Sequence, residues 1–244
     1  MFRPVGRIRL QPRPPAWFEG SPKAWEALSL GARLNLAFQH VHQHYKIPSK
    51  EWWENREFFA KVHPAFASYF GHDTVDLVLD AGGGVGLQSL LWLAYGAARR
   101  AWVVDRRCPK LYPVLLEVFQ EVGEFPEPEY WEVRWEEFRP SALPLRTAIV
   151  GVHACGLFGE RLMERAREWE RPFAVLTCCH ETPDDLFVAW LKEQARGKGI
   201  SYFDALDLVR LGRIQGWGWR AWLETINART SPRNNILLGF PPRL

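Results

Sequence analysis

The chain has 244 residues, 47% of them hydrophobic and 24% charged, with a formal net charge of +3. That length holds one substantial α/β core with an accessory segment but not two full catalytic domains, and the composition excludes a disordered or fibrous chain. No apolar run is long enough for a membrane span and residues 1–7 lack the apolar core of a secretion signal, so a cytoplasmic protein with no membrane partner is expected.

Residues 1–20 are rich in proline and arginine, and Pro4, Pro12, Pro14 and Pro15 oppose a regular helix; an extended arm lying on the core or on a partner is expected. From the start signal Ser21-Pro22, helical spacing of Leu30, Leu34, Phe38, Val41 and Tyr45 predicts a helical run. His40 and His44 share one of its faces, but without a third ligand they read as exposed surface rather than a metal pair. A second helix is predicted over 49–70, with Ser49 as N-cap, Glu51 in the first turn and Trp52, Trp53, Phe58, Phe59, Phe66 and Tyr69 along it. Pro64 is expected to kink or split it. Residues 1–72 thus read as an arm and helical cap, ahead of a domain over 73–244.

After Asp73 the pattern alternates. Strands are predicted near 75–80, 101–105, 130–135, 147–153 and 172–178, with helices near 87–97, 108–121, 157–168 and 183–197. Right-handed crossovers turn that alternation into an α/β fold, a Rossmann-like, doubly wound, mostly parallel sheet with helices on both faces. A helix from Tyr202 to Leu211 precedes two segments, 217–226 and 235–240, that read as a terminal strand pair. Trp92, Trp169 and Trp190 read as packing residues. Trp217 and Trp219 flank Gly218 near basic residues, and strand packing is favoured there over base stacking.

The first of these strands ends at Asp80 and turns through Ala81-Gly82-Gly83-Gly84-Val85-Gly86 into a helix. Glycines let the backbone take positive φ and approach a ligand closely, while a helix start presents N–H groups. The dinucleotide fingerprint would need glycine where Leu87 stands; Gly82, Gly84 and Gly86 instead fit D-x-G-x-G-x-G. The next strand ends at Asp105, an acid placed to accept both hydroxyls of a ribose. Asp80, Gly82, Gly83, Gly84, Gly86 and Asp105 therefore form a candidate nucleoside-cofactor site. This spacing resembles motif I of class I S-adenosylmethionine (SAM) methyltransferases. The resemblance implies SAM as cofactor, an antiparallel last strand in the sheet, and an acid after the third strand, here Glu136, accepting from the adenine amino group.

A second constellation ends the fourth and fifth strands. Ile149 to Gly156 carries His153 and Cys155, and Val175 to His180 carries Cys178, Cys179 and His180. Ligands in open parallel sheets bind beyond the carboxyl ends of the strands, so these side chains converge where a methyl acceptor must sit. The pair H-x-C-G and C-C-H resembles a methyltransferase branch that includes the acceptor-stem tRNA ribose 2′-O-methyltransferases and the methyltransferase domain of glutathione S-transferase C-terminal-domain-containing protein. The match covers roughly residues 73–182. His153 and His180 are the candidate bases, His153 first, because imidazole is the side chain suited to proton transfer near neutral pH. For the cysteines three readings stay open: packing beneath the cofactor, acceptor contacts (Cys155 and Cys179), or a metal site, although the spacing matches no standard zinc motif. Arg233, in the turn Ser231 to Asn235, is a candidate substrate contact, and a solvated turn arginine is the competing reading.

Charge is unevenly placed. Residues 1–50 carry eight basic side chains against two acidic ones and residues 205–244 carry six against two, leaving the middle net acidic. Basic flanks around an acidic core suit a polyanionic substrate. The expectation is a SAM-dependent methyltransferase acting on RNA at a ribose hydroxyl or base nitrogen. The alternatives are a methyltransferase for a protein side chain or small metabolite, and a noncatalytic RNA-binding module with a degenerate cofactor fold. The oligomeric state is unknown from these residues.

Overall fold

The computed structural model describes residues 9–154, 156–177, 185–227, 229–230 and 234–243. A short strand β1 (Arg9–Leu10) leads into α1 (Pro22–Glu26), α2 (Leu30–Tyr45) and α3 (Ser49–Phe70). Then come β2 (Leu77–Ala81), α4 (Leu87–Ala94), β3 (Ala101–Asp105), α5 (Leu111–Gln120), β4 (Gly123–Glu124) and β5 (Glu129–Glu132). The chain continues through β6 (Thr147–Val152), α6 (Gly156–Glu168), β7 (Phe173–Leu176), α7 (Asp185–Gly197), α8 (Tyr202–Gly216), β8 (Arg220–Thr225) and β9 (Asn235–Phe240).

The main sheet has the order β5-β3-β2-β6-β7-β9-β8. β5, β3, β2, β6 and β7 run parallel; β9, last in the chain, lies antiparallel between β7 and β8. All five residues of β2 are buried, as a central strand covered on both faces requires. From β2 the chain winds outward to β3 and β5, then returns to the other side of β2 as β6. The winding reverses there, and the carboxyl ends of β2 and β6 open the crevice in which such sheets bind ligands. The amino end of β2 is tied by Arg146, whose guanidinium donates to both Asp76 oxygens at 2.6 and 3.1 Å and holds that carboxyl below its ordinary range.

Local chemistry explains most element starts. The hydroxyl of Ser21 accepts from Ala24 N to cap α1, and that of Ser29 accepts from Ala32 N to cap α2, so the predicted run from Ser21 is two helices. Ser49 is the first helical residue of α3 rather than its cap, which is Pro48. Pro64 does not split the helix: α3 runs as one helix of 22 residues. An interior proline costs about 3 kcal/mol, but Phe58, Phe59 and Val62 before it and Phe66 after it are all buried, each contributing roughly 2–3 kcal/mol. Pro64 itself faces solvent. α8 runs on to Gly216, so Trp217 ends that helix instead of opening β8.

The described part of the arm lies on the core. β1 pairs antiparallel with β4, and the Gln11 carbonyl accepts from Trp25 Nε1 and from Arg33 at 3.0 and 2.7 Å. One hydrophobic cluster joins α1, α2 and α3 to α4, α5 and a face of the sheet, from Trp25 through Phe58 and Trp92 to Phe240. The opposite face packs Trp135, Phe138, Met163, Phe173 and Ile214. Trp92 and Trp219 are buried, whereas Trp190 on α7 is 53% exposed and does not serve the packing role expected of it.

Candidate active site

The bend between β2 and α4 has the backbone expected of its glycines: φ is 65° at Gly82, 51° at Gly84 and 73° at Gly86. Gly83 is required for a different reason. A Cβ there would lie 2.8 Å from the Asp80 carboxyl carbon and from Val103 Cγ1, so the bend is pressed directly onto β2 and β3. Asp80 is 2% exposed and lies beneath the bend, where its Oδ2 accepts from the amide and hydroxyl of Ser89 at 3.2 and 3.3 Å. Burial pushes its carboxyl up to about 7 despite those two donors. Asp80 thus shapes the cradle from below.

Asp105 ends β3 beside the same bend. One of its oxygens accepts from Gly84 N at 3.0 Å and the other from Arg107 N at 3.4 Å. Each carboxylate oxygen offers two lone pairs, so these bonds orient the group while leaving acceptor capacity for a sugar hydroxyl. Tyr130, on β5, closes the far side: its hydroxyl lies 2.9 Å from the Gly84 carbonyl and 3.0 Å from that of Arg107. Burial, then the Asp105 charge, raise this phenol, which keeps its proton as a donor. Glu136 lies just past β5, and its carboxylate is engaged by Arg161 of α6. Its backbone carbonyl accepts from Arg139 at 2.6 Å.

At the end of β6 the structure brings together residues from distant parts of the chain. His153 has φ 62°, a left-handed conformation uncommon for a side chain of its size. Its Nε2 lies 3.3 Å from a Glu51 oxygen and 3.2 Å from a Glu54 oxygen, both on the first turns of α3. Glu54 has no exposed surface, and its other oxygen is 3.2 Å from Lys50 Nζ. Glu51 and then Glu54 push the His153 imidazole up to about 9, against the effect of burial. At neutral pH the ring is therefore a cation clamped between two carboxylates, and it accepts a proton only after giving one up.

Behind β7 a buried polar set anchors the chain where it leaves toward the second motif. The Thr177 hydroxyl donates to Asp207, which also accepts from Asn235 at 3.0 Å and from Arg210 at 3.2 Å. Of the residues singled out from sequence, Cys155, Cys178, Cys179, His180 and Arg233 lie outside the described residues. The sequence reading did not anticipate Glu54 or Tyr130 as site residues, and it took Glu51 only as a first-turn acid. A detectable sign was Glu54 itself, an acid one helical turn before Phe58 on the apolar stripe of α3.

No protein-family model matches this sequence, and no curated protein matches it. Solved structures do resemble the fold. Magnesium protoporphyrin IX methyltransferase from Synechocystis, with SAM bound, is 12% identical with a TM-score of 0.50, over 84% of this chain and 90% of that one. Plantazolicin methyltransferase, in complex with a monoazolic desmethylPZN analogue and SAH, is 12% identical with a TM-score of 0.48 over 90% of this chain and 98% of that one. An rRNA methylase from Streptococcus thermophilus is 14% identical with a TM-score of 0.45 over 75% and 95%. The chain has the Rossmann-like fold that SAM-dependent methyltransferases use. Among the described residues no helix is long and apolar enough to cross a membrane.

Proposed function

We propose that this protein is a SAM-dependent methyltransferase acting on RNA, at a ribose hydroxyl or a base nitrogen, in the branch marked by the H-x-C-G and C-C-H pair. The observation that carries the cofactor reading is the glycine bend, with three left-handed glycines over the buried Asp80 and its Gly84 amide bonded to Asp105. A Cβ at Gly82 or Gly83 would meet Phe158 or Asp80 at 2.8 Å, so these positions keep the bend low and open to a ligand. SAM, when bound, supplies an electrophilic methyl group on a sulfonium.

This chain's own residues hold and position the reactants. Asp105 takes the ribose hydroxyls, and the bend of residues 82–86 approaches the rest of the cofactor through its backbone. His153 faces the acceptor. Methyl transfer places the heaviest demand on orientation, and a base assists by removing the acceptor's proton. His153 does this from its neutral form, with Glu51 and Glu54 stabilising the imidazolium that results, as a carboxylate does for histidine in other proton relays. The basic residues of the two chain ends support a polyanionic acceptor over a neutral one.

Titration calorimetry with SAM, followed by label transfer from SAM to fractionated cellular RNA, tests both halves. Binding with label in RNA is the expected result. Absence of SAM binding overturns the enzyme; binding with label only in protein or small molecules overturns the RNA acceptor alone.

A further inference from the structure

At the opposite edge of the sheet lies a cup that plays no part in the site above. The register pairs Arg220 with Phe240 and Phe173 with Gly239, so the end of β9 and the start of β8 sit at the amino ends of the parallel strands, away from His153. α3 spans the distance: Glu54 faces His153, and Tyr69, fifteen residues on by sequence, faces the cup. A helical rise of 1.5 Å per residue puts the two about 22 Å apart.

The cup encloses about 330 Å³. Phe240 forms its floor and is 2% exposed. The Tyr69 and Trp222 rings both pack on Phe240, with centroids 5.1 Å away in each case. Two guanidiniums lie over these rings: Arg220 is 5.0 Å from the Trp222 centroid and Arg243 is 5.7 Å from the Tyr69 centroid. Arg243 also donates to the Ser68 carbonyl at 3.0 Å, which fixes it at the end of α3. The nearest acid on that face of β8, Glu224, is 3.8 Å from Lys61. Aromatic walls accept a planar ring, and paired guanidiniums repel a cation and bind a phosphate. Few ligands combine a flat base with an adjoining phosphate other than a nucleotide.

We propose that this cup is a second RNA-binding site, which takes one unstacked base of a single strand between Tyr69 and Trp222 and its phosphate at Arg220 and Arg243. This rests on the RNA reading and deepens it. The strand held here runs several nucleotides from the one presented to His153, and recognition depends on single-stranded RNA flanking the modified position.

The test titrates the full chain with a fluorescent single-stranded oligouridylate of about a dozen nucleotides, enough to cover such a site. Arg220→Gln with Arg243→Gln is expected to weaken binding about tenfold and to lower the salt slope by roughly 0.7, the share of one phosphate on a single strand. Trp222→Leu, checked for an unchanged melting transition, is expected to lose about tenfold through stacking alone. SAM affinity should stay the same in each variant. If unaltered protein binds the oligonucleotide and the arginine variant binds it equally well, the cup is overturned while the RNA reading stands. If an abasic oligomer of equal length binds as tightly as the uridylate, base recognition by the cup is likewise overturned. If unaltered protein binds no oligonucleotide but retains SAM, the RNA reading falls and the cup falls with it.

Discussion

The two halves of the proposed active site are built in opposite ways. The cradle from Asp80 to Gly86, with Asp105, comes from two adjacent parallel strands and the turn between one of them and α4. The bonds that Asp80 and Asp105 make to it join residues at most 21 positions apart. The acceptor end joins His153 to Glu51 and Glu54, roughly a hundred positions away, through a helix that precedes the whole sheet. The short-range cradle is held by its own neighbours: the Gly84 amide is bonded to Asp105, and Gly83 is pressed onto Asp80 and Val103. A long-range clamp is tunable, since its charges respond to whatever α3 presents.

That contrast is broken most sharply by His153→Ala, expected to reduce methyl transfer about a thousandfold, within the range for removing a general base, while SAM affinity changes less than about threefold. Parallel loss of both in calorimetry and label-transfer assays would mean the two halves are one unit. Asp105→Ala is the reciprocal change. It removes the proposed charged acceptor of two sugar hydroxyls and is expected to weaken SAM binding by about 150-fold or more, at roughly 1.5 kcal/mol or more for each such bond.

The pH profile sharpens the comparison. His153 is protonated up to about 9, so transfer should climb about tenfold per pH unit above neutrality and level near that value. Glu54→Gln should move the limb toward 6.5, the ordinary histidine value. A profile flat from neutrality upward would remove His153 as base.

Gly83→Ala sets the smaller scale on the cradle side. The new methyl meets a buried carboxyl and Val103, neither of which is a flexible end, and a loss of about 1–3 kcal/mol is expected in urea denaturation. Smallest is the stability carried by the clamp itself. A histidine raised in the folded state stabilises fully below its unfolded value and loses that contribution as pH rises through the folded one. Thermal melts of the unaltered chain should therefore fall between 6.5 and about 9 more than those of His153→Gln.

Much of this molecule was legible along the chain. Alternating apolar strands and helices, the glycine bend, and acids at the ends of β2 and β3 are local patterns, set by backbone sterics and by periodic burial, and they predicted the fold and the place of the glycine bend. The continuity of α3 through Pro64 was not legible, because buried aromatic rings on both sides of the proline outweigh a local penalty. The partners of His153 were equally hidden. Nothing in H-x-C-G names two glutamates from an earlier helix, and only docking of α3 onto the sheet desolvates Glu54 and turns a nominal base into a clamped cation. The alternation of strands and helices, the glycine turn and the acid-glycine spacing belong to the sequence; the charge state beside His153 and the aromatic cup at the far edge arise only when distant segments are brought together.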